Sequence, residues 1–392
     1  MTVNIQEDLA DEGVGSGVER EQEGNQFKTG EPFDPASISL SSKIVALDTV
    51  LRRIRNHTIT LAPNFQRNFV WDTKRKSLLI ESMMLRIPLP MFYVSEDKDG
   101  VWEVVDGLQR LTTIKDFILG EDGDGKGFKL KGLEFWGESF DGKDFYTINR
   151  KLDAARIINN VMEAELSFTI INPDTPEKVK RNIFKRINTG GMRLSTQEIR
   201  HALYQGEASD LLRELVDNSV YQRVVGKTVK DDRMAGRELV LRFISFYLRK
   251  REDFKGDMDE FLADTMRHVN NEHTIPLRIR YDKIQLTEAF KRALNRSDSL
   301  FGEHAFRRSH ENRRKTPVNK SLFEMWTVLL ARINQPTFES IIADKQHFLL
   351  KYHKMLDDDA FADAIGKYGS DPAGVRDRYS RAITLLKEYQ RA

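Results

Sequence analysis

A short apolar run, Val101 to Val105, passes through Asp106-Gly107 straight into a segment with Leu111, Ile114 and Ile118 at helical spacing. The stretch therefore predicts a strand whose end is also the start of a helix, and with it a fold that combines sheet and helix. A helix start presents N–H groups without intrahelical acceptors and the positive end of the macrodipole. Arg110, in the first turn, is misplaced there unless an anion offsets it. Gly107 permits close backbone approach, and with the amides and the arginine fork it describes a phosphate cradle. The competing reading is an ordinary turn with Arg110 in a structural ion pair, and both stand at this point.

The surrounding pattern divides the chain into a tail over 1–41, an α+β domain with a small mixed sheet over 42–205, and a mainly helical domain over 206–392. From Met1 to Leu40 nine acidic residues face only Arg20 and Lys28, a net charge of −7, which leaves +9 for the remainder of a chain of net +2. Poor in large apolar residues, the tail is predicted to be disordered. A second reading makes it an acidic arm that folds back on a basic groove and competes with nucleic acid.

A helical pattern begins near Ser42 through Ile44, Leu47, Val50, Leu51 and Ile54. Residues Pro63 to Trp71 read as a loop carrying Gln66 and Arg67. Asp72 or Thr73 caps a helix to about Leu85 with Leu79, Met83 and Ile87 along one side, and Met91 to Val94 reads as a strand. Residues 120–150 read as a hairpin or meander. Their Asp122, Asp124 and Gly127 resemble a calcium loop only superficially, because Lys126 and Leu133 stand where ligands belong. A helix over Leu152–Glu163, a buried strand over Leu166–Ile171 and a helix over Pro176–Asn188 follow. The last ends at Asn188-Thr189-Gly190-Gly191, and Ser195 and Glu198 are spaced as a capping box. Lys185, Arg186, Asn188 and Thr189 project from that corner as further candidates for the anion near Arg110.

Beyond Gly206 the period is helical. Arg233, Arg237 and Arg242 surround the apolar segment Leu239–Leu248, a buried helix with a charged edge, and Glu238 is placed to pair with one of them. Arg308, Arg313, Arg314 and Lys315 form a basic stretch suited to nucleic-acid phosphates, with a solvated face as the competing reading. A final helix begins at Pro372 behind Asp371. The chain lacks cysteine, which excludes disulfides, and its eight histidines show no zinc-protease spacing. No apolar run is long enough to span a bilayer, and the amino terminus is polar, so a soluble cytoplasmic protein is expected.

Three segments together carry a resemblance: the Gln66-Arg67 loop with Trp71, the strand-turn-helix Asp106 to Thr113, and the corner Phe184 to Glu198. They resemble the bacterial domain family marked by an Asp-Gly-Gln-Gln-Arg motif. That family is similar in fold to the ParB and sulfiredoxin superfamily and includes the amino-terminal domains of GmrSD-type modification-dependent restriction systems and related phage-defence proteins. The resemblance implies a nucleotide pocket that supports nucleoside triphosphate hydrolysis. Asp106, Gly107, Gln109 and Arg110 would be the motif, with Gln66 and Arg67 adjoining and Lys185, Arg186 and Asn188 as further phosphate contacts. In that setting Arg110 neutralises charge on the departing phosphoryl group, Asp106 binds magnesium or orients a water, and Gln109 positions the attacking water. Leu108 replaces the first glutamine of the motif, which removes a donor and an acceptor unless that position faces the core. No histidine-and-asparagine nuclease segment is present in this sequence, so a separate nuclease or effector protein is an expected partner, with DNA as a further one. A non-catalytic nucleotide- or DNA-binding switch is the alternative, and direct nuclease activity a third.

Overall fold

The computed structural model describes residues 6–9, 15–21, 37–61, 71–120, 127–187, 195–231, 233–310 and 313–390. The chain forms two compact units, Pro32–Leu194 and a second made from Met1–Glu31 together with Ser195–Ala392.

In the tail, β1 (Glu7–Leu9) and β2 (Gly15–Glu19) pair antiparallel. These residues correct the expectation of disorder, since Val18 is fully buried within the core of the helical unit. The composition forbids a core of the tail's own, and the segment uses one built by other residues.

The first unit holds a five-stranded mixed sheet of β3 (Leu40–Ala46), β4 (Ile59–Thr60), β5 (Phe92–Glu96), β6 (Trp102–Asp106) and β7 (Glu165–Ile171), in the order β3-β7-β5-β6-β4. The pairs β3/β7 and β5/β6 are antiparallel, whereas β5/β7 and β4/β6 are parallel. Ile44 belongs to β3 and is exposed, so the helix expected from Ser42 starts only at α1 (Leu47–Arg55). Backbone pairing with β7 along the whole of β3 outweighs the helical spacing of Ile44 with Leu47 and Leu51. In β7, Leu166, Phe168 and Ile170 alternate inward. Phe168 meets Phe92 and Trp102 at ring-centroid distances of 5.3 Å, which places the aromatic centre of the core under the middle strands.

α2 (Thr73–Met84) starts on Asp72, whose carboxylate accepts from the Arg75 amide at 2.7 Å. Arg86, at φ 59°, ends that run and leaves Ile87 exposed, which removes it from the predicted apolar side. α3 (Leu108–Leu119) buries Leu111, Ile114, Phe117 and Ile118. The described part of 120–150 holds the short helices α4 (Gly137–Phe140) and α5 (Phe145–Asn149) where a hairpin or meander was expected. The carboxylate of buried Glu81 on α2 organises it, accepting the amides of Glu134 at 2.9 Å, Phe135 at 2.8 Å and Trp136 at 2.9 Å. α6 (Ala155–Met162) precedes β7, and α7 (Glu177–Ile187) follows it with Val179, Ile183 and Phe184 inward.

The second unit is built from α8 (Thr196–Leu203), α9 (Glu207–Val216), α10 (Ser219–Tyr221), α11 (Ala235–Leu248), α12 (Met258–Val269), α13 (Lys283–Phe301), α14 (Lys320–Arg332), α15 (Gln335–Ala343), α16 (Lys345–Leu356), α17 (Asp359–Ile365) and α18 (Pro372–Lys387). The predicted capping box of Ser195 and Glu198 starts α8, and Asp371 caps α18 through the Ala373 amide. α14 is the central helix, buried almost all round and packed on α11 and α13. Through this core runs a chain of buried charges. Arg200 pairs with Asp259 at 2.6 Å and lies 3.9 Å from Glu238, which faces Arg242 at 3.4 Å and Lys320 at 3.3 Å. Glu324 lies 3.6 Å from Arg242 and pairs with Arg378 at 2.7 Å. Arg242 is thus inside the core rather than on the expected charged edge of α11.

Two outcomes follow. Glu81→Ala strands three amides, and the sheet unit should lose about 2–3 kcal/mol in urea unfolding with faster amide exchange at 134–136. Burial alone would raise the Glu238 carboxyl, but Lys320, Arg242 and Arg200 hold it down to about 2, against an ordinary 4.5. Its contribution is therefore complete above pH 4.5 and is lost as pH falls toward 2. Glu238→Gln should cost about 3–5 kcal/mol at pH 7. The gap between native and variant chains should narrow through that acid window, read from amide exchange in α14. A gap independent of pH would show that Glu238 is not ionised in the folded unit.

Candidate functional site

The site is made where β6 hands over to α3. Asp106, the last residue of β6, pairs with Tyr93 beside an irregularity in the register with β5. Gly107 then adopts φ 94°, ψ 8°, a left-handed conformation that turns the chain directly into the helix. A second constraint acts on the same residue. A Cβ at Gly107 would lie 2.3 Å from Phe92 Cδ1, so the strand-to-helix turn rests against the Phe92 ring with no space for a side chain. Gly107 also leaves the start of α3 without a side-chain cap, and the amides of Leu108, Gln109 and Arg110 lack intrahelical acceptors by their position.

Arg110 folds back on this turn. Its guanidinium donates to the carbonyl oxygens of Pro90 and Met91 and to Asp106 Oδ2, the last at 3.1 Å, and lies 4.5 Å from the centre of the Phe92 ring. One cation thus ties the entry to β5, the end of β6 and the first turn of α3 together. Burial lowers the Arg110 pKa from its ordinary value, while Asp106 opposes that shift through charge and hydrogen bonding. The Asp106 side chain keeps 38% of its surface exposed, against 13% for Arg110, so the carboxylate is the accessible partner of the pair. Leu108 packs against the apolar core of the sheet unit. Gln109 Oε1 is buried without a hydrogen-bond partner among the described residues.

Of the remaining sequence candidates, Gln66, Arg67, Asn188 and Thr189 lie outside the described residues. Lys185 and Arg186 sit exposed in the last turn of α7. The basic stretch is largely neutralised within its own unit. Arg308 binds Glu19 at 2.7 Å, Lys315 binds Glu303 at 2.5 Å and Arg313 lies 3.8 Å from Asp357, while Arg314 is exposed. Arg233 and Arg237 are held by Glu198 at 3.4 Å and Asp231 at 3.0 Å. Sequence reasoning missed Phe92 and the carbonyls of Pro90 and Met91, because strand pairing across β5 and β6 brings them beside Gly107. The prolines Pro88 and Pro90 mark that segment as one unable to satisfy its own carbonyls in a helix, a signal visible in the sequence.

Residues 47–205 match the family model of the GmrSD restriction endonuclease N-terminal domain. The chain carries a GmrSD-type N-terminal domain. The match includes the whole Gly107 turn and extends into α8, which by compactness belongs with the helical unit. No curated protein matches the chain, and no solved structure does. Among the described residues no helix is long and apolar enough to cross a membrane, and no three His, Asp or Glu side chains cluster as a metal site.

In the GmrSD-type domain the turn itself is the most exacting element. Gly107→Ala should destabilise the sheet unit by about 1–3 kcal/mol for the positive φ alone. The overlap with Phe92 adds to this, so a thermal unfolding midpoint unchanged from native would contradict the described turn.

Proposed function

We propose that the GmrSD-type domain binds a nucleoside triphosphate at the Gly107 turn and hydrolyses it, regulating a DNA-targeting restriction activity whose nuclease another protein supplies. The observation that carries this reading is the combination at one turn of a side-chain-free helix start, an accessible carboxylate and a buried acceptor without a partner: Gly107, Asp106 and Gln109. Phosphate oxygens are the natural acceptors for the first-turn amides of α3. Asp106 would hold a magnesium ion, which supplies charge neutralisation on the phosphates. One carboxylate suffices for it, because magnesium retains waters and takes phosphate oxygens as its other ligands. Arg110 would turn its fork from Asp106 to the terminal phosphoryl group and stabilise the charge that develops on it. Gln109 Oε1 would accept a hydrogen bond from the attacking water and orient it.

One observation favours a second reading. Arg110 is fully engaged with Asp106 and two backbone carbonyls, an arrangement suited to a binding switch in which nucleotide occupancy changes the turn without turnover. Phosphate release from each of four ribonucleoside triphosphates with magnesium, with and without DNA, separates the two. Under the hydrolase reading Arg110→Ala lowers turnover by about 10²-fold or more, and Asp106→Asn weakens its dependence on magnesium. Nucleotide binding by the native chain with no turnover would establish the switch. Absence of binding altogether, in a chain whose unfolding midpoint is normal, would overturn both.

A further inference from the structure

The described tail places three carboxylates on the helical unit. Asp8 pairs with Lys320 at 2.9 Å. Glu19 takes the Arg308 fork with both oxygens, at 2.7 and 3.0 Å, and accepts from Asn319 Nδ2 at 2.9 Å. Glu21 pairs with Arg242 at 2.6 Å and accepts from Ser370 Oγ at 3.2 Å. The Arg242 and Lys320 side chains are 1% and 9% exposed, while Glu21 and Asp8 are 23% and 34% exposed, so these two carboxylates cover their cations from the solvent side.

The charges beneath them do not balance without the tail. Among the described residues, five cations, Arg200, Arg242, Arg308, Lys320 and Arg378, meet three carboxylates of the helical body, Glu238, Asp259 and Glu324. The body therefore presents an excess of two positive charges at the place where the tail sits. The network also keeps unused capacity. Ser321 Oγ is buried without a hydrogen-bond partner among the described residues, and Arg242 Nη1 makes no hydrogen bond there but faces Glu324 Oε2 at 3.6 Å. Both belong to residues that are more than nine-tenths buried. Ser321 Oγ lies close to the Glu21 position, since one Cβ built on Gly369 would touch both side chains, at 2.8 and 3.4 Å.

The hold of the tail is otherwise slender. β2 inserts one large apolar residue, Val18, between two glycines and two polar residues. Its backbone is tied by the Glu19 amide to the Val318 carbonyl, the Val318 amide to the Gly17 carbonyl, and the Lys230 amide to the Ser16 carbonyl. Ionic contacts thus carry much of the attachment, and carboxylates gripped by arginine forks and a lysine are chemical mimics of phosphate oxygens.

We propose that the tail is a built-in competitor for a phosphate-bearing ligand: Asp8, Glu19 and Glu21 occupy an anion site formed by Lys320, Arg308 and Arg242, and binding of phosphate groups there releases the tail. The site lies in the helical unit and stands independently of the reading of the Gly107 turn. Two sources share its chemistry, a small polyphosphorylated molecule and a nucleic-acid backbone, and tripolyphosphate and a DNA duplex are the respective probes.

Amide exchange of the full chain, read residue by residue, tests it without any substitution. Either probe should speed exchange of the Glu19 and Val318 amides, which bridge tail and body, by tenfold or more. The amide of Phe323 inside α14 should stay unchanged. A response to tripolyphosphate alone identifies a small ligand, and a response to DNA identifies a nucleic-acid backbone. The response should persist in Arg110→Ala, which separates it from phosphate binding at the Gly107 turn. The double variant Glu19→Gln, Glu21→Gln should bind the effective probe about tenfold more tightly, and adding Arg308→Gln should remove that gain. If neither probe alters the Glu19 and Val318 amides, the proposal fails, and the tail is a fixed part of the helical fold.

Discussion

A charge removed from water needs a partner, and the placement of partners explains more of this molecule than its apolar packing does. In the helical unit Glu238, Glu324 and Arg242 occupy a core that would be conventional without them, and apart from the Glu238–Arg242 contact within α11 their partners lie far away in sequence. α8, α11, α12, α14 and α18 each contribute a member, so the network acts as a register for how these helices pack. Removing one member leaves the others buried and unmatched, which makes the arrangement unforgiving. It also explains the order of the tail: an acidic segment poor in apolar side chains gains its place by supplying the missing counter-charges.

The same rule governs the sheet unit on a smaller scale. Glu81 is held by three amides of a segment without regular strand pairing, and that segment takes its shape around the carboxylate. Arg110, placed against the helix macrodipole, is tolerated because Asp106 and two carbonyls surround its guanidinium. The glycine between them is constrained twice, by its backbone angle and by the Phe92 ring beneath it. A turn so tightly held, yet bearing an accessible aspartate, suits a site in which a ligand exchanges one set of ionic partners for another. That exchange is the physical content of the proposed nucleotide chemistry, and it assigns Arg110 one task in the resting turn and another with phosphate bound.

Much of this was legible in the sequence. The strand-turn-helix at Asp106, the buried faces of α3 and α7, the capping box at Ser195 and the helix begun by Asp371-Pro372 are local features, set by side-chain periodicity and by capping chemistry within a few residues. The three motif segments likewise carried the resemblance to the GmrSD-type family, whose model matches residues 47–205. Where local signals conflicted, they misled. Ile44 has helical spacing with Leu47 but lies in β3, because the open edge of β7 offers a complete set of backbone partners.

What only the tertiary structure decided are the facts that depend on distant partners. Leu108 faces the core, Arg110 closes on Pro90 and Met91, and Arg242 lies inside rather than on the surface of its helix. The tail is ordered where Val18 and three carboxylates reach the helical unit, although nothing in its own composition predicts order. A sequence states the charge and shape of each side chain, and so determines which local conformations are cheap. Whether a buried charge is matched depends on groups hundreds of residues away, and only the folded chain brings those together.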